Sequence, residues 1–382
     1  MALKAARDAL EEERFEDAIE ILEKLLDDET EPEVLVYLGI AYVQTEQPEK
    51  AIEVLRRAED EVEEHCVLCL FLGRALKAHG DLDEAANCLR KAVELEPSRP
   101  EAWEDLANVL YEMKEYGSTV KVLEDALKHL PENVSLRALN AISYYRLGDY
   151  TTAESEWALV AQQRPESIMA LTNLAYMRVI QNHHSDIGDI VEKIGKIDSS
   201  DYRYLLLKGE MLLQKGEIEE AIKYCRKAVE SHPTNIEALS RLVIAYHRLS
   251  QFEKRDEYLK LALDNMDNHT QCWRGLSDMY DKLEMQEKKL DILIHGTKVD
   301  KGSAAPWIML AVEYGKMDRT DESENAWLES FELRDYIKLY CKSCDSHFKI
   351  PYNRRFHFNP VRTQVCPNCV AEVVIPEDIA VI

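Results

Sequence analysis

Two short cysteine turns near the C-terminus carry the clearest chemistry in the chain. Cys341-Lys342-Ser343-Cys344 and Cys366-Pro367-Asn368-Cys369 are separated by 21 residues. Each turn places two thiolates so that the pair bites one tetrahedral metal, and the central stretch is slightly longer than the common spacing of about 15 to 20. Four soft thiolates suit Zn2+ and also accept iron. Four protein ligands leave no open coordination position, so the expected role is structural and not hydrolytic. So small a segment has too little core to fold alone, and metal binding supplies the folding energy. Iron in the same site would instead allow one-electron chemistry. The stretch from Phe348 through Lys349, Arg354 and Arg355 to Phe358 interleaves basic and aromatic residues, a pattern that stacks on bases and contacts phosphates. Two other readings of it stay open. The charges could offset a zinc–tetrathiolate centre, or dock on an acidic surface of the chain itself.

The other reactive side chains read as packing. His65-Cys66-Val67-Leu68-Cys69 has the look of a second metal motif but falls inside a helical pattern, and Cys88, Cys225 and Cys272 sit in or beside apolar columns. Cysteine is often a small buried hydrophobe. None of these cysteines has a histidine and a carboxylate at a spacing that suggests a nucleophile. His183-His184 occupy a turn. The chain has no phosphate-binding glycine loop, dinucleotide fingerprint or Gly-x-Ser-x-Gly, and it is expected to be non-catalytic.

The elements that would position these residues repeat every 34 residues. Gly39, Gly73, Ala107, Ala141, Ala175, Gly209, Val243, Ser277 and Ala311 are in register. Sixteen residues later come Leu55, Leu89, Leu123, Trp157, Val191, Cys225, Leu259, Leu293 and Trp327. Small residues facing large ones at helical spacing is the pattern of two interdigitating antiparallel helices. Pro97, Pro131, Pro165 and Pro233 share a column that ends the second helix. This period and pattern resemble the tetratricopeptide repeat, from about residue 5 to about residue 334. The resemblance implies an all-α, right-handed superhelical solenoid of nine to ten repeats over residues 1–334, the first one partial. Residues 335–382 are expected to form the separate four-cysteine module, with strand-like runs at Ile337–Tyr340 and Ala371–Ile375. That module resembles a zinc ribbon or a rubredoxin-like knuckle pair, although Asp345 and Val370 stand where such knuckles often carry glycine. The whole layout is similar to the bacterial lipopolysaccharide assembly protein B family, which pairs such repeats with a rubredoxin-like module and acts as an adaptor. That family has an N-terminal membrane anchor and a shorter cysteine loop, so the resemblance implies architecture and adaptor role only.

Two regions break the pattern. The 168–201 repeat carries Gly188 and Gly195 in its second helix and is expected to be the loosest link. Later second helices replace the usual alanine by Arg255, Lys289 and Ser323 and should pack less tightly.

The net charge is −25. From Cys341 onward five Lys/Arg face four acids, so that tail is +1 and residues 1–340 carry −26. Such a field repels nucleic acid and favours basic or neutral partners, and it also keeps an extended surface soluble. No apolar run is long enough to span a membrane, and Met1–Asp8 breaks its apolar residues with charge. Nine cysteines without a secretory signal point to the reducing cytoplasm.

The exposed side of the first helices is the expected seat for a protein or peptide partner. Its candidates are the apolar and aromatic Tyr111, Ile142, Tyr145, Tyr176 and Val179, with Arg74, Lys77 and Arg146 to orient an acidic ligand end. The same residues are also consistent with burial against a neighbouring repeat or a second copy of the chain. The Lys–Asn clamp for a C-terminal carboxylate is not supported, since Asn108 has Glu104 in the partner position.

Overall fold

A computed structural model describes residues 2–28, 32–61, 65–181, 183, 187–266, 273–341, 343–344, 346–351 and 363–374. Among them are twenty α-helices followed by four short strands. The helices are α1 (Ala2–Glu11), α2 (Phe15–Asp28), α3 (Pro32–Gln44), α4 (Pro48–Glu61), α5 (Cys66–His79), α6 (Leu82–Leu95), α7 (Pro100–Glu112), α8 (Tyr116–His129), α9 (Val134–Arg146) and α10 (Tyr150–Gln163). They continue as α11 (Ile168–Ile180), α12 (Gly188–Ile197), α13 (Tyr202–Lys215), α14 (Ile218–Ser231), α15 (Ile236–Arg248), α16 (Phe252–Asp264), α17 (Trp273–Lys282), α18 (Gln286–Val299), α19 (Ala305–Lys316) and α20 (Thr320–Arg334). Taken two by two, the helices follow the 34-residue helix–turn–helix register.

Contact between the two helices of a pair explains the register. A Cβ on Gly39 would lie 2.3 Å from Leu55 Cγ, one on Gly73 2.6 Å from Leu89 Cγ, and one on Gly209 2.5 Å from Cys225 Sγ. The small column therefore meets the large column sixteen residues on, and the missing side chain is the space the large one fills. Within a pair the turn needs one residue in the left-handed region. Gly80, Gly148 and Gly216 serve there, but Glu46, Lys114, Ser250, Glu284 and Asp318 occupy the same column with φ between 57° and 63°. Only glycine marks this column to the eye, so five of its copies are silent in the sequence.

The chain divides into two compact units, Met1–Leu139 and Asn140–Ile382. The division falls inside α9 and not in the 168–201 repeat. In that repeat Gly195 has a packing reason: a Cβ there would lie 2.6 Å from the Tyr204 ring. The first unit packs around leucines such as Leu35, Leu55, Leu72, Leu89 and Leu106, all at most 1% exposed. In the second unit Trp157, Leu276, Leu293 and Phe331 are equally enclosed.

The expectation for the alanine-deficient second helices holds for one of three. α16 buries Ala262 alone. α18 instead buries Lys289, Leu290, Ile292, Leu293, Gly296 and Thr297. In α20 the Ser323 hydroxyl donates to the Ala311 carbonyl at 2.8 Å. A polar residue in the alanine column is thus tolerated where it finds a partner across the pair.

After α20 the chain turns at Asp335 (φ 60°) into β1 (Tyr336–Cys341), which pairs antiparallel with β2 (Ser346–Pro351) in the register Lys338↔Lys349 and Cys341↔Ser346. β3 (Thr363–Val365) pairs with β4 (Glu372–Val374). No helix of the described residues is long and apolar enough to cross a membrane.

Candidate functional site

The two cysteine turns converge. The Sγ atoms of Cys341, Cys344, Cys366 and Cys369 all lie within 4.8 Å of one another. Cys341 is 3.5 Å from Cys369, and Cys344 is 3.6 Å from Cys366. A tetrahedral centre with Zn–S near 2.3 Å needs sulfurs about 3.8 Å apart, so the set fits a metal. Cys341 and Cys366 are buried, Cys344 half-buried and Cys369 exposed. The hairpin presents Cys341 at the end of β1. The backbone amide of Val370, with φ 61°, donates to the Cys366 carbonyl and closes the second turn without the expected glycine. The stretch Tyr352–Phe358, with Arg354 and Arg355, lies outside the described residues, as do Cys272 and His184. His183 is exposed.

The hairpin is anchored within its own unit through Asp149, whose side chain is fully buried. Asp149 caps α10, accepting from the Thr152 amide at 3.2 Å. It also accepts from the Tyr336 hydroxyl at 2.8 Å and from the Lys338 ammonium, while Lys349 Nζ lies 3.7 Å away. Lys338 also donates to Thr152 Oγ1 at 3.1 Å. Burial alone would push the Asp149 carboxyl up. The facing Lys338, Arg334 and Lys349, with the hydrogen bond from Lys338, more than reverse this and hold it below the usual carboxylate range. Lys349 further lies over the rings of Tyr144 and Tyr336, 4.8 and 4.4 Å from their centroids.

The same turn receives the end of the array. Arg146 Nη1 and Asp300 Oδ2 form a buried ion pair at 2.9 Å. The Ser303 hydroxyl donates to the Arg146 carbonyl at 2.5 Å. Gly148, at φ 71°, would bring a Cβ to 2.9 Å from Ile308 Cδ1 and 3.3 Å from Ala305 Cα, so glycine serves both the turn and the close approach of α19. The second unit therefore closes on itself, the α9–α10 turn meeting α19 and the hairpin.

A cavity of about 260 Å3 lies inside that unit. Tyr150, Tyr176, Val179, Ile180, Met309 and Val312 contribute to its lining. Several charged residues in the lining are locked in ion pairs. Arg241 bridges Glu210 and Asp278, the latter at 3.0 Å. Lys289 bridges Asp281 at 2.6 Å and Glu313 at 2.8 Å, and these carboxylates raise its pKa against the effect of burial. Arg274 lies 4.5 Å from the Tyr150 ring centroid and 6.0 Å from that of Tyr145, and donates to the Tyr150 hydroxyl. Tyr176 donates to Glu237 at 2.8 Å. Burial pushes the Tyr145 phenol up to about 12.

The groove candidates fall into two groups. In the first unit Arg74 pairs with Asp105 at 2.5 Å, Lys77 lies 3.8 Å from Glu112, and the Tyr111 ring packs 4.9 Å from Tyr116. In the second unit Ile142 is half-buried, Tyr145 packs 6.2 Å from Tyr176, and Tyr176 and Val179 line the cavity. Arg146 is 8% exposed and paired with Asp300. From the sequence, Arg241 and Arg274 are not singled out, and Lys289 reads only as a packing substitution. Their one signal is charge on helix positions otherwise devoted to packing. Among the remaining cysteines, Cys66, Cys69, Cys88 and Cys225 are buried, and burial pushes the Cys225 thiol up to about 12. They are packing residues.

Paired helices, the meeting of small and large columns and the fixed period are the pattern of tetratricopeptide repeats, and family models match parts of the chain. Family models described as "TPR repeat" and "Tetratricopeptide repeat" match residues 73–114 and 202–235, and that of the anaphase-promoting complex, cyclosome, subunit 3 matches residues 11–92. A TPR repeat-containing protein of Methanocaldococcus jannaschii is 24% identical over 41% of this chain and 28% of its own length. The BBSome complex member BBS4 of Bos taurus is 22% identical over 58% of this chain and 42% of its own. The chain thus spans less than half the length of these curated relatives. Among solved structures, the C-terminal part of a TPR repeat-containing protein from Cytophaga hutchinsonii covers 72% of this chain and 99% of its own, at 16% identity and a TM-score of 0.49.

Proposed function

We propose that this protein is a non-catalytic adaptor that holds a polypeptide segment in the cavity of its second unit, with a zinc ion tying the C-terminal module. The observation that carries the reading is the cavity itself. It sits mainly on first-helix faces, exposes aliphatic and tyrosine surface, and is held in shape by ion pairs that need no ligand. Tetratricopeptide repeats generally mediate protein–protein interaction. Two of the matched descriptions, a BBSome complex member and a subunit of the anaphase-promoting complex, are of components of multi-protein assemblies. The donor set of four thiols favours zinc over harder cations. A reducing cytoplasmic setting would keep the eight described cysteines as thiols or metal-bound thiolates.

The test is affinity purification from native lysate with wild type, Tyr176→Ala and the cavity-lining change Val312→Glu. Both variants should lose the same specific partner, because each alters a cavity wall. A partner list unchanged in both would overturn the cavity reading.

A further inference from the structure

The column that caps the second helices has nine copies in register: Gln47, Asp81, Glu115, Asp149, His183, Glu217, Gln251, Met285 and Arg319. Eight of these positions are exposed or half-exposed, and Asp149 alone is buried. The exception needs a cause, and the cause is the hairpin. Lys338 stands three residues before the ligand Cys341 on the same strand, and Lys349 is its cross-strand neighbour. Two lysines side by side repel each other, and the shared carboxylate of Asp149 compensates them. An isolated two-stranded hairpin is marginal in water. This one is fixed at one end by the cysteine cluster and at the other by Asp149, so each anchor depends on the other.

We propose that metal loading of Cys341, Cys344, Cys366 and Cys369 controls the closure of the second unit on itself, acting through Lys338, Lys349 and Asp149. The metal orders the hairpin, and the ordered hairpin delivers both ammonium groups to the α9–α10 turn. That turn carries Gly148, against which α19 packs, and α10 and α19 supply Tyr150 and Val312 to the cavity. Without metal the hairpin leaves, Asp149 loses both lysines, and the seam between the α9–α10 turn and α19 opens. Linkage is reciprocal, so weakening the Asp149 anchor must weaken metal binding. The inference rests on the metal reading of the cysteines and adds control of the cavity to it.

The experiment uses the full chain and Zn2+ as probe. Zinc affinity is measured by competition with a chromophoric chelator, and amide exchange of residues 144–152 is followed by mass spectrometry with and without Zn2+. Coupled anchors of this kind differ by roughly 5- to 150-fold in affinity. Asp149→Asn should therefore bind Zn2+ at least about fivefold more weakly, and Lys349→Gln, at an exposed side chain, should shift in the same direction by less. Asp81→Asn, the same column in an exposed copy, should leave the affinity unchanged. Removing Zn2+ from wild type should speed exchange across residues 147–152. Failure of wild type to bind Zn2+ would defeat the metal reading and this inference together. Tight zinc binding with unchanged exchange, or equal affinity in wild type, Asp149→Asn and Lys349→Gln, would defeat the closure alone.

Discussion

Asp300→Ala should destabilise the second unit by about 3–5 kcal/mol, the range for stripping one partner from a buried ion pair. The side chains of Arg146 and Asp300 are only 9% and 6% exposed, so the guanidinium left behind can neither reach water nor neutralise. The pair also joins residues 154 positions apart, so its loss should be felt across the whole closed unit. Chemical denaturation followed by the near-ultraviolet signal of Trp157, Trp273 and Trp327 reports on this unit. The double replacement Arg146→Met/Asp300→Leu should recover most of the loss, because two apolar side chains of similar volume remove both charges at once. A single mutant within about 1 kcal/mol of wild type would show that the pair is solvated.

Stripping the metal should have the larger effect on the C-terminal module. Structural zinc sites contribute on the order of 10–16 kcal/mol of apparent binding energy at neutral pH, and small modules of this kind are unfolded without it. Wild type should carry one zinc per chain by elemental analysis. Cys366→Ser, which removes a buried ligand, should leave binding substoichiometric and should abolish the β1–β2 and β3–β4 pairings seen by NMR. The ten helix pairs should survive, because each repeat packs mainly on its neighbours. A coloured, iron-loaded protein would replace zinc by iron, and a module that stays folded in chelator would remove the metal from the account.

The helical architecture was legible because it is written locally and repeatedly. Gly39 and Leu55 are sixteen residues apart, and the same pair of columns recurs down the chain. Equally legible were the four cysteines, whose two-residue gaps fix the geometry of each pair before any folding is considered. What stayed hidden is long-range and happens once. Asp149 looks like any helix cap, and its register mates at Asp81 and Glu115 are exposed. Nothing local says that Lys338 will arrive from 189 residues away. The burial of Arg146 stayed hidden for the same reason. This residue stands at the end of a first helix, where a cation ordinarily faces solvent, and only the return of Asp300 buries it. Lys289, in an alanine column, read as a packing defect until Asp281 and Glu313 were seen to converge on it. In the cavity Tyr176 and Val179 could be found from spacing. The charged side could not, because Arg241, Glu210 and Asp278 come from three different repeats.

The central claim is that a polypeptide partner enters the cavity of the second unit. Site-specific photo-crosslinking tests it most directly, with benzoylphenylalanine placed at Val312, at Val179 or at the exposed Lys227 on the outer face of α14. The account predicts a crosslinked polypeptide from residues 312 and 179, mapped by mass spectrometry to one contiguous segment, and none from residue 227. Crosslinking that is equal at all three positions, or absent from the two cavity positions, would contradict it.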